Sequence, residues 1–197
     1  MIEDSVSRET AERLHCFKAL VIEENQRQNL ISATTLAEFE SRHIADSFQL
    51  ITLASANGRW CDIGSGAGLP GLVIAIVGDV TITLIEPRRL RADFLRRATL
   101  ELGLANVTVV EAKAERFAGE FDVITARAVA GLAHLFSMSA HLAHSKTRWI
   151  LPKGRGAKKE LDEALQAWQG DFKLVPSLTS GDAMIVVANR VRRKGET

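Results

Sequence analysis

The sequence predicts an α/β protein: a mostly parallel, doubly wound sheet that ends in an antiparallel hairpin, preceded by a helical extension. Three observations carry this. From residue 59 to residue 168, short β-branched runs alternate with longer helical runs, the rhythm of a parallel sheet covered on both faces. The last two apolar runs, "DFKLVPSL" and "AMIVVANRV", are separated only by a short turn containing Ser180-Gly181-Asp182, which predicts a hairpin at the sheet edge. Before residue 58 the periodicity is helical, broken at "NLISATT". Residues 1–57 are therefore expected to form a helical extension packed on a core of residues 58–197, one structural domain overall.

Each element has its own signal. Residues 7–28 read as a helix: Ser7 caps it, Glu9 and Glu12 lie near its positive end, and Leu14, Phe17 and Val21 recur on one face. Thr35 and Glu38 have capping-box spacing and start a second helical stretch. "RHIADSFQLITLA" predicts a third helix with Ile44, Phe48 and Ile51 on one side, and Gly58 closes the region. "RWCDIG" is a short buried strand, and "PGLVIAIVG" a helix with Pro70 at its start, where a missing N–H costs little. "VTITLIE" is a strand, "PRRLRADFLRRATLELG" a helix ending at Gly103, and "VTVVEA" and "FDVITARA" are strands. "GLAHLFSMSAHLAH" is a helix, "TRWILPKG" a strand and "AKKELDEALQAW" a helix.

The chain has 197 residues, 46% hydrophobic and 25% charged, the composition of one soluble globular domain. No window approaches the roughly 18 uninterrupted apolar residues of a membrane span. The acidic, polar start "MIEDSVSRET" does not read as a targeting segment. Cys16 and Cys61 lack C-x-x-C spacing, and five scattered histidines add no zinc pattern. A reducing cytoplasm, a monomer and no metal are the expectations. The net charge of +1 hides basic clusters at Arg88, Arg89, Arg91, Arg96 and Arg97, at Lys153, Arg155, Lys158 and Lys159, and at Arg190, Arg192, Arg193 and Lys194. Such clusters either follow a polyanion's phosphates or are solvated helix faces.

The segment "CDIGSGAGLPG", residues 61–71, lies between a strand and a helix, where open α/β sheets bind ligands. Gly64, Gly66 and Gly68 permit left-handed backbone and leave no side chain between chain and ligand. Glu86 ends the next strand, twenty residues after Gly66, where a carboxylate can accept both hydroxyls of a ribose. Both features suit NAD and S-adenosylmethionine alike. Three others favour the second. Pro70 offers no N–H to a pyrophosphate. Asp62 suits an ammonium group and would repel a pyrophosphate. The rest of the chain is consumed in completing one sheet, leaving no separate substrate region. Arg88 and Arg89 do not rescue recognition of a 2′-phosphate, because Glu86 would oppose it.

"NLIS", "RHIADS", "DIGSGAGLPG", "IEPRRLRADFL", "AERF", "ARA" and "PKG" fall, in this order, across residues 29–154. In order and spacing they resemble the bacterial ribosomal RNA small subunit methyltransferase G family, also called glucose-inhibited division protein B. The resemblance implies a Rossmann-like class I S-adenosylmethionine-dependent methyltransferase that methylates N7 of a guanine in the decoding-region loop of 16S rRNA. Its partner would be 16S rRNA or the small ribosomal subunit. It implies cofactor contacts at Gly64, Leu69, Ala114, Glu115 and Arg127, beside Asp62, Gly66, Gly68 and Glu86. It also gives functional weight to Asn29, Ser32, His43, Asp46 and Ser47 as substrate-side residues. Arg127 emerges from an apolar strand and can fork onto a carboxylate or phosphate. Lys153 leaves the next strand at the same edge and suits a phosphate, or is simply a surface residue.

Nothing in the sequence nominates a general acid, base or nucleophile. "TARAVAG" follows the fourth strand in place of the Asn/Asp-Pro-Pro-aromatic loop of exocyclic amine methylation, and neither cysteine stands where a pyrimidine C5 nucleophile works. Guanine N7 carries an in-plane lone pair and no proton, so alignment is the main requirement. His43, Asp46 and Ser47 share a helix face at i, i+3 and i+4, but three side chains of one helix do not reach triad geometry, and there is no G-x-S-x-G elbow. The other reading is a non-catalytic RNA-binding factor with a relict pocket.

Overall fold

The computed structural model describes residues 6–36, 38–54, 58–78 and 80–195. Three helical elements come first: α1 (Arg8–Asn25), α2 (Ala33–Leu36) and α3 (Ala45–Ile51), with a π-helical segment Phe39–Ile44 running directly into α3. Then follow β1 (Arg59–Ile63), α4 (Gly71–Val77), β2 (Thr81–Ile85), α5 (Arg89–Glu101), β3 (Val107–Val110) and β4 (Phe121–Ala126). The chain continues through α6 (Leu132–Ser139), β5 (Ala143–Lys153), α7 (Ala157–Ala164), β6 (Trp168–Pro176) and β7 (Met184–Arg193).

The strands form a seven-stranded sheet in the order β3-β2-β1-β4-β5-β7-β6. Strands β1 to β5 are parallel, and β7 runs antiparallel between β5 and β6. The reversed hairpin is at the edge as expected, with β6 outermost. The chain leaves β1 toward β2 on one side, and β4 pairs on the other. The gap above β1 is therefore the switch point where such sheets bind ligands.

Alternation along the strands divides the core. Trp60, Ile82, Leu84, Ile150, Ile185 and Val187 pack toward α1, α3, α4 and α5, whereas Cys61, Ile63, Trp149, Leu151, Val186 and Ala188 pack toward α6 and α7. On the second face the Phe136 ring meets Trp149 edge-on at 5.2 Å. Helix α4 is apolar on all sides, and Gly71 to Ile76 are all buried, because α1 and α3 cover its outer surface. Leu14, Phe17, Val21, Phe39, Ile44 and Leu50 join the same core as α4 and α5. The expected boundary after residue 57 falls beside residues 55–57, outside the described residues.

Several boundaries differ from expectation. Ser7 does cap α1, accepting from the Thr10 amide at 3.2 Å, but α1 ends at Asn25, whose side chain accepts the Leu30 and Ile31 amides and turns the chain. Ser32, not Thr35, caps α2. The third helix begins as a π-helix, which rotates the buried face to His43, Ile44, Ser47 and Leu50 and leaves Phe48 half-buried. Pro70 sits just outside α4, at its N-cap. Helix α6 stops at Ser139 because a short 3₁₀ turn and an eleven-residue β5 take over "AHLAH". Trp168 belongs to β6, not to the preceding helix.

Candidate active site at the strand tips

The turn after β1 has left-handed backbone at Gly64, Gly66 and Gly68, with φ of 67°, 54° and 83°. It is tied to β2 by the Gly64 amide, which donates to Ile85 O at 2.7 Å. The two glycines that decide its shape act differently. A Cβ at Gly66 would make only ordinary contacts, with Gly64 O at 3.7 Å and Arg91 Nη1 at 3.8 Å, so no neighbour forbids a side chain here. A Cβ at Gly71 would collide with Leu84 and come within 2.7 Å of Asp62 Oδ2, so this glycine lets α4 close onto the sheet.

Asp62 is fully buried. Its Oδ2 accepts the Gly71 amide at 3.2 Å, while Oδ1 has no partner. Burial pushes the carboxyl up to about 7, against the opposing pull of hydrogen bonds and Arg127. A buried oxygen left without a donor is costly, and a cationic donor beside it removes that cost. Glu86, also buried, already has one backbone donor on each oxygen: Gly66 N on Oε2 at 2.8 Å and Arg88 N on Oε1 at 2.9 Å. It thus ties the glycine turn to the start of α5, and a ribose diol would use the remaining lone pairs.

The other expected cofactor residues occupy the same sheet edge. Ala114 is buried and opens a 3₁₀ turn beyond β3, with Glu115 exposed beside it. Leu69 is buried in the core, so its side chain supports the turn from below. Arg127 follows β4, and the next residue, Ala128, turns the chain with φ of 56°. Its Nη1 lies 3.1 Å from His43 Nδ1. The side-chain partner of Arg127 is thus an imidazole and not an acid.

The substrate-side residues separate into two groups. Asp46, Arg127 and Lys153 line one cleft of about 500 Å³ beyond β4 and β5, with Gln49, Val129 and Met184. A second cleft of about 370 Å³ shares Asp46 and Gly154 and adds Arg42, Arg155 and Thr179. Other residues are spent on structure. Ser47 is buried and donates to His43 O at 2.7 Å, within its own helix. Ser32 is a helix cap. Lys153, on the wall of the first cleft, already has two partners: its Nζ donates to Ala130 O at 2.6 Å and pairs with Glu160 at 2.9 Å. Asp46 accepts from Thr179 and from Gln49. Asn29 is exposed in a separate cleft with Arg88, Arg89 and Arg91. His43, Asp46 and Ser47 therefore form no triad. The basic clusters are also thinned: Arg97 pairs with buried Glu24, Arg96 with Asp93 and Glu111, and Arg190 with Asp171.

Two features escape sequence reasoning. Gln49 is buried and binds the hairpin loop: Leu178 N donates to its Oε1 at 2.8 Å, and its Nε2 donates to Ser177 Oγ at 3.2 Å. A polar amide inside an apolar helix stretch was the available signal. Gly71 is the other, legible only once α4 is laid against Asp62.

Among solved structures the chain resembles a mutant of MtNAS in complex with S-adenosylmethionine (TM-score 0.61, 20% identity, 91% of this chain and 75% of that one). It also resembles the DhpI–SAH complex (TM-score 0.62, 11% identity, 95% and 98%). The fold is that of the class I S-adenosylmethionine-dependent methyltransferases, with the glycine turn at its switch point. In sequence, residues 10–185 match the model of GidB, rRNA small subunit methyltransferase G. Proteins named ribosomal RNA small subunit methyltransferase G match it closely. That of Rhizorhabdus wittichii is 44% identical, over 99% of this chain and 92% of its own, and that of Zymomonas mobilis 39%, over 96% and 90%. The chain belongs to the rRNA small subunit methyltransferase G family.

Proposed function

We propose that this protein transfers a methyl group from S-adenosylmethionine to N7 of a guanine in 16S rRNA, as a cytoplasmic monomer with no metal. Residues 1–57 are read as a helical extension of the 58–197 core. One observation carries the cofactor assignment: Asp62 Oδ1, buried and without a donor, lies at the foot of a turn whose Gly66 has room for a side chain without a clash. A ligand that brings an ammonium group and lies against bare backbone satisfies both. S-adenosylmethionine has that group and supplies a methyl on a sulfonium.

In this reading Asp62 holds the ammonium, Gly64, Gly66 and Gly68 give the backbone bed, and Glu86 takes the ribose. Ala114 leaves room at the adenine edge, with Glu115 beside it. Leu69 stiffens the turn. Arg127 offers its guanidinium to a carboxylate or an RNA phosphate in the cleft it shares with Asp46. Asn29, with Arg88, Arg89 and Arg91, forms an outer cationic wall for RNA. The N7 assignment rests on the family. The chemistry of the chain is in keeping with it, since Cys61 is buried on the α6 face with its thiol raised by burial, and guanine N7 needs no base. As no helix among the described residues is long and apolar enough to cross a membrane, no membrane partner is proposed.

The test is methyl transfer from labelled cofactor to 16S rRNA and to 30S particles, with the product located by chain cleavage at 7-methylguanine. Label on a pyrimidine, or none in either substrate, rejects the reading. S-adenosylhomocysteine should raise the melting temperature, and NAD(H) should not.

A further inference from the structure

Within the RHIADS segment Asp46 lines the cleft that holds Arg127, whereas His43 is buried. Six residues before α3, Phe39–Ile44, are wound as a π-helix, a rare winding that frequently marks functional sites. This winding turns His43 inward between two partners. On one side the Phe39 ring meets it edge-on at 5.5 Å. On the other, its Nδ1 lies 3.1 Å from Arg127 Nη1.

The protonation state follows from the partner. A guanidinium has only donors, so Nδ1 must accept and the imidazole must be neutral, with its proton on Nε2. That Nε2 is itself buried without a partner. Burial, Arg127 and Arg42 all press His43 toward this neutral form. The consequence is chemical. A carboxylate in the same place would orient Arg127 and cancel its charge. A neutral imidazole orients it and leaves the charge for the cleft, whose wall carries two acids, Asp46 and Glu160, the second already paired with Lys153; buried Asp62 is the other acid that acts on Arg127.

We propose that His43 is a positioning residue for Arg127: its Nδ1 fixes the guanidinium fork, charge intact, for an oxyanion entering the cleft. The inference rests on the reading of Arg127 as part of the binding site. Two sources of oxyanion are consistent with the fork, a cofactor carboxylate and an RNA phosphate, and the kinetics below separate them.

Three substitutions isolate the idea. His43→Asn keeps a neutral acceptor near Nδ1, His43→Leu removes the acceptor at similar bulk, and His43→Asp keeps an acceptor but adds charge. Each is made in the wild-type and the Arg127→Ala backgrounds, and kcat, KM for S-adenosylmethionine and KM for RNA are measured beside the melting temperature. His43→Leu and His43→Asp should each lose tenfold or more in kcat/KM, and His43→Asn should recover most of it. In the Arg127→Ala background the further loss from His43→Leu should be under twofold. A rise confined to the KM of the cofactor assigns the oxyanion to its carboxylate; one confined to the KM of RNA assigns it to phosphate. Equal losses for His43→Asn and His43→Leu, or losses that multiply with Arg127→Ala, overturn the positioning role and leave His43 as core packing. If His43→Leu does not fold, the contrast between His43→Asn and His43→Asp decides. If Arg127→Ala alone changes none of the three constants, the site reading of Arg127 fails first, and the role of His43 goes with it.

Discussion

Asp62 and Gly71 are joined by one hydrogen bond, Gly71 N to Asp62 Oδ2 at 3.2 Å, and that bond leaves the other carboxylate oxygen buried and bare. In the free protein the carboxyl sits near 7 because it is buried. An ammonium ligand needs the ionised form. Cofactor affinity should therefore rise as pH goes from 6 to 8, by less than about one log unit per pH unit, with proton release on binding at pH 6. Asp62→Asn should bind weakly and remove this component of the pH dependence. Calorimetry in two buffers of different ionisation enthalpy reads it directly; identical pH profiles for wild type and variant would take Asp62 out of the site.

Gly66 and Gly71 should fail in different ways. A methyl at Gly71 overlaps Leu84 and crowds Asp62, so Gly71→Ala should cost about 1–3 kcal/mol or more of stability. A side chain at Gly66 meets no clash, at a left-handed φ of 54°, so Gly66→Val should cost about 1–2 kcal/mol yet abolish cofactor binding. Thermal unfolding with and without S-adenosylhomocysteine distinguishes the two. A wild-type ligand shift in Gly66→Val excludes the turn from the binding surface.

The lysines divide between core and surface. Lys153 has a half-buried ion pair and a carbonyl partner, and Lys153→Met should cost about 1 kcal/mol while leaving the salt dependence of RNA binding as it was. Lys158 and Lys159 are exposed. Their double replacement by alanine should leave stability within about 0.5 kcal/mol and flatten the salt slope by about one unit per lost phosphate contact. Filter binding across a salt series measures both; an unchanged slope makes them ordinary surface lysines.

His43 gives the fold an acid limit. Its folded value lies near 4, against an ordinary 6.5, with burial first among the causes and Arg127 and Arg42 following. Between these values the unfolded chain binds more protons, so this contribution is present above pH 6.5 and is lost as pH falls toward 4. Asp62 has the opposite sign, its contribution being present below 3.8 and lost as pH rises through about 7. The measurement is therefore the difference between wild type and His43→Asn in thermal unfolding from pH 4 to 7. That difference should shrink as pH falls; a constant offset would show that His43 does not titrate in this window.

The order of strands and helices from Arg59 to Arg193 was readable because alternation and turn chemistry are local properties of the chain. The same holds for the glycine turn and Glu86, whose roles depend on backbone freedom and on a fixed spacing along a strand–turn–helix unit. The helical start was read less well. The π winding of Phe39–Ile44 is imposed by packing: it turns His43 and Ile44 into the core, which no i, i+3, i+4 count along "RHIADS" shows.

By itself the sequence determined the sheet and the switch-point turn, since short-range hydrophobic period and residue spacing encode them, and its motifs carried the resemblance to the family. Only the tertiary structure decided which polar groups already have partners within the protein. Ser32, Ser47 and Lys153 looked as available as Asp62 and Arg127 when read along the chain. Their partners are a helix cap, a carbonyl one turn back, and a carbonyl and carboxylate on other elements. Hydrogen-bond satisfaction is settled by which groups folding brings within about 3 Å of each other.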